Sequence, residues 1–384
     1  MDGGGRLIRP ERGPTRGEGV PIRRQPAPGV RRDTREDAPS SGGPTGASVP
    51  RGRVPRAVAV LPVWLVVLVV LALGACNSSS VRAQRSARSS SSRGTATTGS
   101  VPTRRSLAAR LCASGPATTV GRVASDDLTE LSGLAAEGHG GDRLWAVQDS
   151  GNPAALFALD ASGAHLGAFR VSGAENHDWE DIAVAPDGHV LIADIGDNSA
   201  ARDTVTIYDV TPPAHDVDHG TLVATPSRYR YPDGPRDAET LLVDPTTGDR
   251  YVVTKAWHIP TLTLYPEAVV FELPAPVAGS VGSAVEVGRI PLGRGVLVTG
   301  GDIAPDGRTI ALRTSSPLRQ DPAIHVYDRA AGHSVADALE GAGCVINGPE
   351  EEQGEAVTFA DGGTALLTAS EGEHSPIQRI DAAR

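Results

Sequence analysis

An all-β fold built from repeats is predicted for residues 112–384 by three observations: a motif recurring about every fifty residues, a Gly-bearing turn at the same place in each recurrence, and no amphipathic helical pattern. Each recurrence opens on an acidic residue that runs into a short apolar stretch. These are Glu130-Leu-Ser-Gly-Leu-Ala, Trp179-Glu-Asp-Ile-Ala-Val, Ala238-Glu-Thr-Leu-Leu-Val, Gly301-Asp-Ile-Ala-Pro and Gly354-Glu-Ala-Val-Thr-Phe. Turns follow at Pro186-Asp187-Gly188, Thr247-Gly248-Asp249, Pro305-Asp306-Gly307 and Asp361-Gly362-Gly363, where glycine reverses the chain at low conformational cost. Second strands then read Leu144-Trp-Ala-Val, Val190-Leu-Ile-Ala, Tyr251-Val-Val-Thr, Thr309-Ile-Ala-Leu and Ala365-Leu-Leu-Thr. Third strands include Val205-Thr-Ile-Tyr-Asp209 and Ile324-His-Val-Tyr-Asp328, and fourth strands such as Ala284-Val-Glu-Val-Gly-Arg separate the units.

Four short strands per unit and Gly/Pro-rich turns describe a β-propeller of five blades, each of four antiparallel strands, with room for a sixth in the long gaps. A β-sandwich is the competing architecture, but it does not predict a ring of similar units. Residues Thr118 to Val123 read as a fourth strand with no unit ahead of it. They are expected to form the outer strand of the last blade, closing the ring without an unpaired sheet edge.

Radial repetition brings equivalent positions together, so the opening carboxylates Glu130, Glu180, Glu239, Asp302 and Glu355, with Asp181 beside Glu180, are expected around one mouth of a central channel. Carboxylates that close need raised pKa values, a hard cation such as Ca²⁺, or basic neighbours. At the ends of the second strands stand Asp149, Asp194, Lys255, Arg313 and Glu371, and Lys255 is the only lysine in the chain. This predicts a polarised funnel, suited to a cation beside an anionic or hydroxyl-rich ligand. His177-Asp178-Trp179-Glu180-Asp181 and Asp194-Ile-Gly-Asp197-Asn198 are the densest polar clusters, so His177, Asp197 and Asn198 join the candidate ligand contacts. The bland alternative is that these Asp and Asn side chains brace turns.

The segments ELSGLA with WAVQDSGN, WEDIAVAPDG with ADIGDN, DAETLLVDPTTGD, GGDIAPDG, and GEAVTF with ASEG resemble secreted bacterial β-propellers of unassigned function. More distantly they are similar to gluconolactonase-like propellers and esterase-like phytases. The resemblance covers most of 116–384 and implies the propeller fold and calcium binding. No residue set maps onto a phytase or lactonase metal site, so it does not carry an activity.

Ahead of the repeats, residues 1–56 are rich in Gly, Pro and Arg without hydrophobic periodicity, a composition that does not bury a core. Residues 57–76 form an uncharged apolar run ending Leu73-Gly74-Ala75-Cys76, the pattern of a lipoprotein signal whose cysteine accepts a lipid before cleavage. An uncleaved signal anchor is the alternative. Both readings place the rest of the chain on the outer face of a bacterial cytoplasmic membrane. Residues 77–111 carry seven arginines and no acid, a flexible basic tether suited to an anionic surface. Residues 112–384 hold 17 Lys and Arg against 40 Asp and Glu, a balance that excludes nucleic acid and favours cations or cationic partners. Outside the membrane Cys112 and Cys344 are expected to pair as a disulfide, with two separate buried thiols as the alternative.

Motifs for a nucleophile elbow, a zincin, a P-loop or a dinucleotide fold are missing from the sequence. The expectation is therefore a monomeric, lipid-anchored module that binds a cell-envelope glycan, an anionic small molecule or a protein. The alternatives are a calcium-assisted hydrolase of phosphoesters, lactones or glycosides, and a scaffold acting through its rims. The long leader and the single methionine, Met1, also suggest initiation at a valine such as Val54. Recovery of tryptic peptides from residues 1–50 of the native protein would exclude that late start.

Overall fold

The computed structural model describes residues 105–138, 143–316 and 322–384, and these form an all-β fold. The predicted leader, the lipid-signal run with Cys76, and residues 77–104 of the tether lie outside the described residues. No helix of the described residues is long and apolar enough to cross a membrane.

The chain enters through a short helix, Leu107–Leu111, and strand β1, Thr118–Arg122. A first meander follows in β2 (Leu131–Ala136), β3 (Arg143–Gln148), β4 (Ala155–Asp160) and β5 (His165–Ser172), and a second in β6 (Trp179–Val184), β7 (Val190–Asp194), β8 (Val205–Val210) and β9 (His219–Arg230). The third comprises β10 (Ala238–Val243), β11 (Arg250–Thr254), a two-strand hairpin of β12 (Trp257–His258) and β13 (Thr263–Leu264), then β14 (Glu267–Leu273), the short β15 (Val281–Ser283) and β16 (Val285–Pro291). The fourth is β17 (Leu297–Ile303), β18 (Thr309–Ser315), β19 (Ala323–Asp328) and β20 (Cys344–Asn347), and the chain ends in β21 (Gly354–Ala360), β22 (Ala365–Ser370) and β23 (Pro376–Asp381).

Within each meander the main strands pair antiparallel, in the third as β10-β11-β14-β16, while its short β15 pairs in parallel with β9 of the second. The last has only three strands of its own, and β1 adds as the fourth on β23, as the sequence predicts. A parallel contact of β5 with the first half of β9 joins the first two meanders into one sheet, leaving the second half of β9 for β8. The first and second strands of each meander are short and buried on both faces because they are covered on both sides, whereas outer strands such as β1, β9 and β16 stay largely exposed. First strands of consecutive meanders pack together, β2 with β6, β6 with β10, β10 with β17 and β17 with β21, and β21 returns to β2.

Five apolar clusters lie between consecutive meanders. Trp145 and Phe169 meet Ile182 and Tyr208; Leu191 and Ile207 meet Leu241 and Phe271; Leu242 and Tyr251 meet Ile310 and Leu312. Ala311 and Ile324 meet Phe359 and Leu366, and Ala356 and Leu367 return to Leu134 and Phe157 of the first meander. One close approach has a steric requirement: a Cβ on Gly133 would stand 2.9 Å from the backbone of Asp181 in the neighbouring first strand.

Cys112 and Cys344 form the expected disulfide, with Cα atoms 5.9 Å apart. It ties the entry segment to β20 of the fourth meander, not to the last, because the entry helix packs Leu111 into the cluster shared by the fourth and fifth. The folded region thus begins ahead of Cys112. Arg110 donates from Nε to the carbonyl of Ala383 at 2.6 Å and accepts from the Ala383 amide at 3.0 Å, so the two ends of the domain are stitched together. The disulfide closes a loop with a sequence separation of 232. Its removal in a Cys112→Ser, Cys344→Ser variant should cost about 2–5 kcal/mol, read as a lowered denaturant midpoint with a steeper slope, because the unfolded chain loses its cross-link and exposes more surface.

Candidate functional site

Each first strand carries a β-bulge at the same place, and this sets the site. Pairing with the second strand skips one residue in every meander: Ser132, Glu180, Glu239, Thr299 and Glu355. A bulge leaves the skipped residue out of the ladder and re-aims its side chain. All five are buried, the three glutamates being 4%, 1% and 7% exposed, and oxygens of Glu180, Glu239 and Glu355 lie within 4.8 Å of one another.

The structure corrects the predicted ring at two positions. Glu130 precedes β2, where it accepts from Asn152 Nδ2 at 2.6 Å; Asp302 lies three residues beyond the bulge, beside an apolar cavity of about 160 Å³ lined by Ala135, Ala183, Val243 and Phe359. Their places in the ring go to Ser132 and Thr299. Ser132 donates to the carbonyl of Trp179 at 2.8 Å and Thr299 to that of Gly354 at 3.2 Å, the residues just ahead of Glu180 and Glu355. The two hydroxyls therefore hold the neighbouring glutamates in register. Asp181 and Asp302 act as clasps between meanders. Asp181 accepts from the amides of Ile182 and Leu241, each at 2.8 Å, and Asp302 from the amides of Ile303 at 2.7 Å and Phe359 at 2.8 Å.

The second-strand residues also divide. Asp149, Lys255 and Glu371 each follow directly on the residue paired ahead of the bulge, whereas Asp194 lies one place earlier and Arg313 opposite the residue after the bulge. Asp194 is held by Arg202 at 2.9 Å and caps the Asp178 amide at 3.1 Å; the exposed His177 stands 3.4 Å from it. Arg313 is buried against the side chain of Glu351, itself out of reach of solvent, and so is not free to grip a ligand. Asp197 braces its own loop, accepting from the amides of Ala201 and Arg202 at 2.9 Å, while Asn198 follows it in the same loop with a buried, unpartnered side-chain oxygen.

What remains is a carboxylate cluster around Lys255. The Asn176 amide donates to the carbonyls of Gln148 at 3.0 Å and Asp149 at 2.8 Å, bringing Asp149 to Asp178, and these two with Glu180 form a second group of oxygens within 4.8 Å. Lys255 pairs with Glu239. Burial works against its charge, but Glu239, Asp237, Glu180 and Glu355 together push its pKa well above the usual lysine range. Gln353 donates from one nitrogen to Glu371 at 2.7 Å and Glu355 at 3.2 Å. Burial, then Asp149 and Asp237, push Asp178 up to about 7, and burial pushes Glu355 up to about 7 against the pull of Lys255. Glu371 is pushed to about 9 by burial and then by Glu355, Asp149 and Glu130. Buried carboxylate oxygens without a hydrogen-bond partner here include Glu239 Oε2, Asp237 Oδ2 and Asp194 Oδ2.

Sequence reasoning passed over Asp178 and Asp237 as individual contributors, and Gln353 and Gly196 altogether. A Cβ on Gly196 would stand 2.6 Å from the Asp178 carboxyl and against Glu180. The placing of an acid immediately ahead of a first strand, in His177-Asp178-Trp179 and Arg236-Asp237-Ala238, was the available signal. No family model and no curated protein matches the chain.

The raised carboxylates fix the sign of the pH dependence. Unfolded, they release protons near pH 4; folded, Asp178, Glu355 and Glu371 hold theirs to about 7 and 9, so between these limits the folded state binds more protons. Stability from this cluster is greatest at low pH and is lost as the pH rises. In EDTA the protein should melt several degrees higher near pH 5.5 than near pH 8.5, and a Glu355→Gln, Glu371→Gln variant should flatten that difference.

Proposed function

We propose that residues 112–384 are a five-bladed β-propeller that binds a divalent cation together with a ligand at the carboxylate mouth of its channel. The observation that carries this reading is the repeated bulge, which gathers Glu180, Glu239 and Glu355 within 4.8 Å. The closed succession of first-strand contacts and the five clusters shared between meanders support the blade arrangement. Hard oxygen donors at this spacing suit Ca²⁺, whose bonds of about 2.3–2.6 Å let two ligands of one ion lie up to roughly 5 Å apart. The buried, unpartnered Glu239 Oε2 fits such an ion. When bound, Ca²⁺ would neutralise the cluster and offer open positions to hydroxyl or anionic groups of an envelope glycan or small molecule. The lipid-signal pattern at Cys76 supports attachment to the outer face of the membrane, and the disulfide suits an oxidising compartment there.

A second reading, a calcium-assisted hydrolase, draws on Gln353, which holds two carboxyls of different acidity side by side. Glu371 would stay protonated as acid while Glu355 is half ionised at neutral pH.

Titrating calcium into full-length protein purified in detergent tests both. A ligand at 100 times its Kd adds about 2.7 kcal/mol, so the melt should rise with calcium and fall back with EDTA. A melt unmoved by either sinks the cation reading. Turnover of phosphoester, lactone or glycoside substrates that disappears in Glu371→Gln would select the hydrolase, and lack of turnover in the wild type leaves binding.

A further inference from the structure

The outer strand of a meander exposes main-chain hydrogen-bonding groups unless something covers it. Strands β5 and β9 pair with each other, and on β16 the Arg289 amide donates to Glu340 of the helix Val335–Glu340 at 3.3 Å. Strand β20 has no such cover among the described residues. The Gly348 amide donates to the carbonyl of Pro322 at 2.9 Å, and bonded pairs alternate along an antiparallel ladder. Ile346 and Cys344 therefore also bond toward β19, while the N–H and C=O of Val345 and Asn347 point to the open side. The Val345 side chain is 59% exposed. A groove of about 670 Å³ lies between this edge and β1, lined by Thr119 on one side and by Val345, Asn347 and Glu350 on the other.

We propose that this edge is the docking site of the chain's own residues Thr95–Thr98, which add to β20 as an antiparallel strand. Main-chain groups on an open edge capture an extended segment whatever its sequence, and neighbouring side chains then select it. Three features select this one. Thr95-Ala96-Thr97-Thr98 is uncharged, rich in β-branched residues and bounded by Gly94 and Gly99, and it matches the four residues of β20 in length. It is also within reach. The described chain starts at Arg105, just ahead of the entry helix, and Cys112 beyond that helix lies 5.9 Å from Cys344, the first residue of β20. Residues 99–104 can span about 20 Å when extended, enough to join the helix to the edge in the antiparallel sense. The charges agree as well: Arg93 then falls at the Asn347 end of β20, where Glu350 and Glu352 are exposed. Docked in this way, the chain leaves the domain at the end of β20 that continues to Glu355, so the carboxylate mouth is turned toward whatever holds the N-terminal side. The inference does not depend on the cation reading.

Amide hydrogen exchange of the full-length protein in detergent, read by mass spectrometry, decides the matter. Residues 95–98 and the amides of Val345 and Asn347 should exchange at least about tenfold more slowly than in short peptides of the same sequences. An Ala96→Pro, Thr97→Pro variant should release both sets together while the melting temperature holds. Successive N–H groups of a strand alternate in direction, so one of the two prolines removes a donor from the pairing in either register. Free exchange of residues 95–98 in the wild type overturns the inference. Protection of Val345 and Asn347 that survives the prolines also overturns it, since another group must then cover the edge. Protection that fades on dilution does the same, because the added strand would come from a second copy of the chain.

Discussion

Buried like charge is the constraint on which the rest of this molecule depends. Glu180, Glu239 and Glu355 converge in a space from which water is largely excluded, and Asp149, Asp178, Asp237 and Glu371 stand around them. In such surroundings ionised carboxylates repel strongly and lose hydration that nothing in an apolar interior replaces. The chain answers in two ways. It holds several of these groups protonated into the neutral range, and it threads the only lysine of its sequence into their midst. The fold must be rigid enough to impose this arrangement against its own electrostatics.

That rigidity comes from contacts between meanders. Apolar clusters are shared by neighbours all the way from the first meander to the last and back, so no one meander owns a complete core. Polar clasps add direction. Ser132 and Thr299 fix the strands that carry Glu180 and Glu355, while Asp181 and Asp302 bind amides in the strands that carry Glu239 and Glu355. Each clasp reaches from one first strand to the next, so the spacing of the glutamates is set by several hydrogen bonds in addition to apolar packing.

Much of this was legible in the sequence because strand alternation and turn residues have short periods. The recurrence of an acid before an apolar run located Glu180, Glu239 and Glu355, and an orphan strand at Thr118 announced the pairing of β1 with β23. What escaped was offset by two or three residues, Ser132 from Glu130 and Thr299 from Asp302. In a strand a shift of one place turns a side chain to the other face, and a bulge introduces just such a shift without a compositional mark. Hence Ser132 and Thr299, neither acidic, were hidden behind Glu130 and Asp302, which look more like the repeat. Arg313 and Asp194 are not free as ligand contacts because their charges are answered, Arg313 by Glu351, 38 residues on, and Asp194 by Arg202, eight residues on in the following loop.

The disulfide also bears on mechanics. Strand β1 is held on the last meander by lateral hydrogen bonds to β23, and a pull along the chain from its N-terminal side would open such a ladder one bond at a time. Cys112 lies upstream of β1 and is bonded to Cys344 in β20. Tension arriving through the preceding residues is therefore delivered to β20, the outer strand of the fourth meander, by a covalent link before it reaches β1. The zipper that completes the fifth meander is left unloaded by a pull applied ahead of Cys112.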